Sequence, residues 1–214
     1  MMNQFGPLIC ITTDSSALAH HEQVDILISR GARFVQIRTK LLDQRETLLQ
    51  VEKAYHYAEQ SGVVLIINDF VEIARISAIS GVHLGSGDCS ALDARKLLGE
   101  DAIIGSTVHN LNDAIQVSEE GVSNYVGLGP YRKSKTKHDL DPILSEKIIL
   151  EIMKVLSGIP VFMIGGIELR DCDLVSHFDL AGIALCSALS GEGEYASFVP
   201  DFISQLNSVE REVA

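Results

Sequence analysis

The sequence has little of what marks a membrane, nucleic-acid or disulfide protein. Its apolar runs, residues 63–67 among them, fall far short of the roughly 20 residues that cross a bilayer. The N-terminus shows no basic region followed by an apolar run and a small-residue cleavage site, so no secretory signal is expected and the expected location is the cytoplasm. Positive charge is scarce: 17 Lys and Arg against 29 Asp and Glu leave a net charge of -12. Such a chain repels DNA and anionic lipid at long range, so neither nucleic acid nor membrane is an expected partner. A small anion remains a suitable ligand if the cations gather in one place. No pair among Cys10, Cys89, Cys172 and Cys186 has C-x-x-C spacing, which disfavours a zinc ribbon or a thioredoxin-like site. Scattered thiols of this kind are expected to be buried and reduced. There is no G-x-x-x-x-G-K-S/T loop for nucleotide hydrolysis. There is also no Ser-His-Asp grouping and no His-rich metal spacing, which disfavours triad or zinc hydrolysis.

What is present is a rhythm. With 214 residues, 46% hydrophobic and a mean hydropathy of +0.19, the chain has the apolar surface for a core. Strands are expected over residues 8–13, 34–38, 63–67, 81–84, 102–106, 125–128, 160–164 and 180–185. These are short apolar runs without alternation, as suits a parallel sheet buried on both faces. Amphipathic stretches separate them, at residues 17–30, 43–61, 91–98, 112–120, 144–156 and 170–175, with a shorter one carrying Val71 to Ile76 and a last one at 195–209. Gly31, Gly62, Gly81, Gly121 and Gly158 stand where helix C-caps are expected. About eight strand–helix units imply a single-domain TIM (β/α)8 barrel. It would occupy residues 1–214 with its core at about 8–209. A doubly wound open sheet is the structural alternative. Its first strand–helix turn usually carries a glycine-rich phosphate loop, and Thr13-Asp14-Ser15-Ser16 has no glycine.

Barrel enzymes work at the C-terminal ends of their strands. There the sequence places Gln36, Arg38 and Lys40 at the end of strand two, alternating so that one face of an extended segment carries all three. Two cations converging in a barrel mouth are costly without anions; a solvated strand end paired with local acids is the plainer alternative. Asp69 and Asp88 end strands three and four, a pair suited to Mg2+ shared with a phosphorylated ligand, although helix capping would explain either one alone. The loop from Arg132 to His138 holds Arg132, Lys133, Lys135 and Lys137 interleaved with Ser134 and Thr136, a composition suited to clamping phosphate. Gly166 and Ser187, after strands seven and eight, offer backbone amides where barrel phosphate sites often form, although Gly165-Gly166 also suits a plain turn. His83 reads more readily as a buried supporting residue than as a catalyst, and His20, His21 and His109 carry still less signal. These features alone imply a barrel that binds a phosphorylated or diphosphorylated small molecule with Mg2+, and they do not name the substrate.

The segments Val35-Gln36-Ile37-Arg38-Thr39-Lys40, Ile67-Asn68-Asp69, Gly81-Val82-His83-Leu84-Gly85, Gly129-Pro130 with Ser134-x-Thr136-Lys137, and Ile164-Gly165-Gly166-Ile167 occur in this order. Together they resemble the thiamine phosphate synthase family, over nearly the whole chain. The resemblance implies condensation of a hydroxymethylpyrimidine diphosphate with a thiazole phosphate, a carboxylated thiazole remaining open. Thiamine phosphate and pyrophosphate would be released. It assigns Gln36, Arg38, Lys40, Asn68 and Lys137 to the pyrimidine diphosphate, with Thr107 where the family has serine. It assigns Asp69 and Asp88 to Mg2+, and Ser134, Thr136, Gly166, Cys186 and Ser187 to the thiazole phosphate. Arg38, Lys40, Lys137 and Thr107 would act directly on the reacting groups, and His83 would join the substrate-binding set. The sequence departs from the family at Ser86, Gly87, Thr107 and Arg132-Lys133. TenI-like thiazole tautomerases share the barrel but tend to lose the metal carboxylates, and both stand here. A non-catalytic regulator that binds a thiamine precursor is a further alternative. A homo-oligomer is compatible with the sequence. Thr107→Ser restores the family residue and is expected to retain product formation; complete loss in a steady-state assay would mean that strand five is misaligned.

Overall fold

The computed structural model describes residues 5–132, 142–190 and 194–213. Its strands are β1 (Leu8–Ile11), β2 (Phe34–Ile37), β3 (Val64–Asn68), β4 (Gly81–Leu84), β5 (Ile103–Val108), β6 (Tyr125–Leu128), β7 (Val161–Ile164) and β8 (Gly182–Leu185). Helices α1 (His20–Ser29), α2 (Gln44–Ser61), α3 (Val71–Ile76), α4 (Ala91–Leu98), α5 (Leu111–Glu120), α6 (Glu146–Val155), α7 (Leu174–Phe178) and α8 (Val199–Val213) alternate with them. All neighbouring strands pair in parallel, and β1 pairs with β8 through Leu8–Ile183, Ile9–Ala184 and Cys10–Leu185. That last pairing closes the sheet and excludes the open doubly wound alternative. Among the described residues, no helix is long and apolar enough to cross a membrane.

Local chemistry explains where the elements stop. The side chain of Gln23 bonds both backbone polar atoms of Thr13, accepting from its N–H at 2.9 Å and donating to its carbonyl at 2.9 Å. Thr13 therefore leaves the ladder, and β1 ends sooner than its apolar run suggests. β5 runs further than expected because Thr107 and Val108 still pair with Gly127 and Leu128. Asp43, Ser90, Asn110 and Ser145 cap α2, α4, α5 and α6, each accepting a backbone N–H from the first turn. Gly62 and Gly121 close α2 and α5 in the left-handed conformation, as expected. Gly81 does not cap a helix. It opens β4, where a Cβ would lie 1.9 Å from the Ile103 carbonyl oxygen, so the glycine serves close strand approach. The stretch expected as one helix at 170–175 splits into a 3-10 turn, Leu169–Asp173, followed by α7. The last helix begins at Val199 rather than near 195, because Ala196 takes a positive φ of 57° that helix cannot continue through. The thiols are free, and Cys10 and Cys172 are buried as expected, whereas Cys186 is half-buried and Cys89 is exposed.

The core has two parts. The larger lies between the strands' outer faces and the helices and includes Val35, Ile37, Leu65, Ile67, Val82 and Ile104. The smaller fills the barrel, with Phe5, Phe34, Tyr125 and Phe162 among its members. Phe5 packs on Phe34 at 5.1 Å, and Tyr125 meets Phe34 edge-on at 5.3 Å and Phe162 edge-on at 5.8 Å. Gly105 makes room for this layer. A Cβ there would stand 2.2 Å from Tyr125 Cζ, with β backbone on either side. Gly105→Ala is expected to lower stability by about 3 kcal/mol through overpacking. Gly87→Ala, with nothing within 4 Å of its Cβ position, should change it by less than about 0.5 kcal/mol. Urea unfolding of the two variants checks the difference.

Candidate active site

A cavity of about 310 Å3 opens at the C-terminal ends of the strands, above the aromatic layer. β2 and the residues after it contribute Gln36, Arg38 and Lys40; β3 contributes Asn68 and leads to Asp69. β4 contributes His83 and leads to Asp88, and β5 contributes Thr107. Gly166, Cys186 and Ser187 line the opposite side, after β7 and β8. Ser134, Thr136 and Lys137 lie outside the described residues. Lys133 and Lys135 of the same loop lie outside them too, and Arg132 does not line the cavity; the other residues singled out from the sequence for substrate or metal face this one space. Tyr125 and His109 line it too, and neither was singled out.

Charge is concentrated at the β2–β4 side. The Lys40 ammonium forms an ion pair with Asp69 Oδ2. Burial, then the neighbouring Asp69 carboxyl, pushes Asp88 above the usual carboxylate range, against the opposing effects of the Gly85 N–H and Lys40. Asp88 Oδ2 accepts the Gly85 N–H at 2.8 Å. Helix capping does not explain Asp69. Phe70 holds the N-cap position of α3, and Asp69 sits at a φ of 69°, uncommon for a residue with a side chain. Its own N–H donates to the His83 carbonyl at 2.8 Å, tying the end of β3 to β4. Two carboxyls close enough to raise the pKa of one are stabilised by a proton or a cation between them. Among the described residues no third His, Cys, Asp or Glu joins them. The donor set therefore suits a hard cation that keeps most of its ligands as water or substrate oxygen, as Mg2+ does.

A hydrogen-bonded chain rises from the aromatic layer to the cavity. Burial pushes the Tyr125 phenol up, with the Gln36 amide bonded to its hydroxyl acting in the opposite direction. The same hydroxyl lies 2.8 Å from His83 Nδ1, and His83 Nε2 lies 2.9 Å from Thr107 Oγ1. The polarity that satisfies each group runs from the Gln36 amide to the phenol oxygen, from the phenol to Nδ1, and from Nε2–H to Thr107 Oγ1. Thr107 is then left with its own O–H to donate into the cavity. Gly127 gives the imidazole room, since a Cβ there would lie 3.3 Å from His83 Cε1. His109 Nδ1 lies 2.6 Å from the Gly129 carbonyl. On the far side, Arg132 is committed to structure. Its guanidinium makes a two-pronged contact with Asp171, one prong at 2.7 Å, and donates to the Gly166 carbonyl at 3.2 Å. Burial raises the Asp171 carboxyl, but Arg132 and the Glu168 N–H outweigh it and hold it below the usual range. Arg132 thus braces the β7 turn, where the sequence suggested a member of the phosphate clamp.

The sequence profile of the thiamine monophosphate synthase family matches residues 8–189. The chain belongs to that family. A thiamine-phosphate synthase of Marinobacter nauticus is 39% identical over 168 residues, 78% of this chain and 74% of the relative. One of Flavobacterium psychrophilum is 32% identical over 167 residues, 76% of this chain and 81% of the relative. Among solved structures, the thiamine phosphate pyrophosphorylase of Pyrococcus furiosus superposes with a TM-score of 0.86 at 22% identity, covering 98% of this chain and 99% of that one. At that identity the likeness shows the fold. Within this synthase-family barrel, the Tyr125 hydroxyl is the buried polar tip on which Gln36 and His83 rest. Tyr125→Phe is expected to destabilise the fold by about 1–3 kcal/mol by leaving those groups short of a partner; an unchanged urea midpoint would show that the chain is not needed for stability.

Proposed function

We propose that this barrel is a thiamine phosphate synthase. It condenses 4-amino-2-methyl-5-(diphosphooxymethyl)pyrimidine with 4-methyl-5-(2-phosphooxyethyl)thiazole. The observation that carries this reading is the meeting of Gln36, Arg38 and Lys40 with Asp69 and Asp88 in one cavity of a chain from this family.

The chemistry follows from that arrangement. The bond between the pyrimidine methylene carbon and the diphosphate oxygen breaks, and its electron pair leaves with pyrophosphate. The electron-rich aminopyrimidine bears the positive charge left on carbon. The thiazole nitrogen then donates its lone pair to that carbon, forming the new C–N bond. No protein nucleophile is required. The protein must stabilise the departing charge and align the two rings. Arg38, Lys40 and Lys137 serve the leaving group. Asp69 and Asp88 would hold Mg2+, which when bound supplies further positive charge to the diphosphate. Gln36, Asn68 and Thr107 orient the pyrimidine, with His83 setting the direction of the Thr107 hydroxyl. Ser134, Thr136, Gly166, Cys186 and Ser187 receive the thiazole phosphate.

Incubating both substrates with Mg2+ is expected to yield thiamine phosphate and pyrophosphate, and EDTA is expected to abolish the yield. Asp69→Asn and Lys137→Ala should each reduce turnover by about 100-fold or more, with the circular dichroism spectrum retained. Absence of product from the wild type, with exchange of a thiazole tautomer in its place, would overturn the reading. Near-normal turnover in either variant would remove that residue from its role.

A further inference from the structure

We propose that His20 is a positioning residue that sets the backbone of the Arg38–Lys40 segment for the diphosphate; this rests on the function proposed above. His20 is the first residue of α1 and is buried, outside the cavity. Its ring bridges two groups of the turn after β1. Nδ1 lies 2.7 Å from Thr12 Oγ1, and Nε2 lies 3.1 Å from Asp14 Oδ1. Each of those groups in turn holds one backbone amide of the cationic segment. The Arg38 N–H donates to Thr12 Oγ1 at 3.0 Å, and the Lys40 N–H donates to Asp14 Oδ2 at 2.9 Å.

One assignment of protons satisfies the whole set. The Asp14 carboxylate can only accept, so Nε2 carries the proton. Nδ1 is then an acceptor, and Thr12 turns its O–H to it. That leaves the Thr12 oxygen facing the Arg38 N–H with its lone pair. A neutral ring in the Nε2–H form gives the Thr12 hydroxyl an acceptor, and burial favours it by lowering the His20 pKa while Asp14 opposes that shift. An imidazolium would donate at both nitrogens and deprive Thr12 of its acceptor. The consequence lies at the cavity: the two amides flanking Thr39 are fixed from behind, at alternate positions, so the Arg38 and Lys40 side chains leave the backbone from set points. Gln23, one turn further along α1, pins Thr13 between the two bridged residues. A merely structural histidine at a helix start would need one of these partners, whereas His20 uses both nitrogens on the two groups that hold the cationic segment.

The test is steady-state kinetics with Mg2+ on the wild type, His20→Ala, His20→Gln and Thr12→Val, varying each substrate separately, with inorganic pyrophosphate as product inhibitor. In His20→Ala, kcat/KM for the pyrimidine diphosphate is expected to fall about tenfold or more and pyrophosphate inhibition to weaken in step. KM for the thiazole phosphate should move by less than about twofold. Thr12→Val, which removes the hydroxyl and keeps the shape, should show the same selective defect. His20→Gln, which can still donate to Asp14, should recover most of the loss. Wild-type kinetics in Thr12→Val, or losses of equal size toward both substrates in His20→Ala and Thr12→Val, would overturn the proposal. If His20→Ala fails to fold, Thr12→Val and His20→Gln decide it in the same way. An inactive wild type would instead refute the proposed function; pyrophosphate binding by calorimetry, equal in wild type and Thr12→Val, would then refute the His20 role separately.

Discussion

The Tyr125 hydroxyl is the point on which core and cavity both depend. A phenol ring fills the barrel beside Phe34 and Phe162, contributing apolar burial, but its oxygen cannot be buried without partners. Gln36 and His83 supply them. Those two side chains are thereby held in direction by the core, and each presents its remaining face to the cavity. Gly105 and Gly127 follow from the same demand, one clearing space for the phenol and the other for the imidazole. The floor of the site is thus the polar edge of the aromatic layer, and its stiffness is inherited from packing.

Above that floor the dominant constraint is charge. The chain is strongly acidic overall, yet Arg38 and Lys40 are drawn into one mouth. Asp69 neutralises Lys40, while Asp69 and Asp88 press on one another. The Asp69–Asp88 repulsion is the unfavourable part of this balance, and a proton or a cation between the two carboxyls relieves it. Asp14 lies behind this mouth, where His20 and the Lys40 amide occupy both of its oxygens. It supports the segment without entering this balance.

The strands were legible because strands buried on both faces must be continuous apolar runs. The site was legible by one further rule, that barrel chemistry gathers at strand C-termini; Gln36, Asn68, Thr107 and Gly166 share a cavity for that reason. What could not be read were contacts whose partners are far apart in sequence and ordinary in type. Tyr125 looked like a strand start, and nothing near it points to His83. Thr12, Asp14 and His20 form no motif; they converge because the segment joining β1 to α1 lies against the residues that follow β2. Arg132 carried a charge that suggested phosphate, and only the fold shows Asp171 taking it. Gly81 stood where a cap was expected, and its true reason is the nearness of the Ile103 carbonyl.

A crystal structure with Mg2+ and pyrophosphate tests the central claim most directly. The account predicts the cation between Asp69 and Asp88, with the anion bridging it to Arg38 and Lys40 and the Lys40–Asp69 pair parted. Pyrophosphate bound only on the Gly166–Ser187 side, with that pair intact and no cation at the carboxylates, would contradict it.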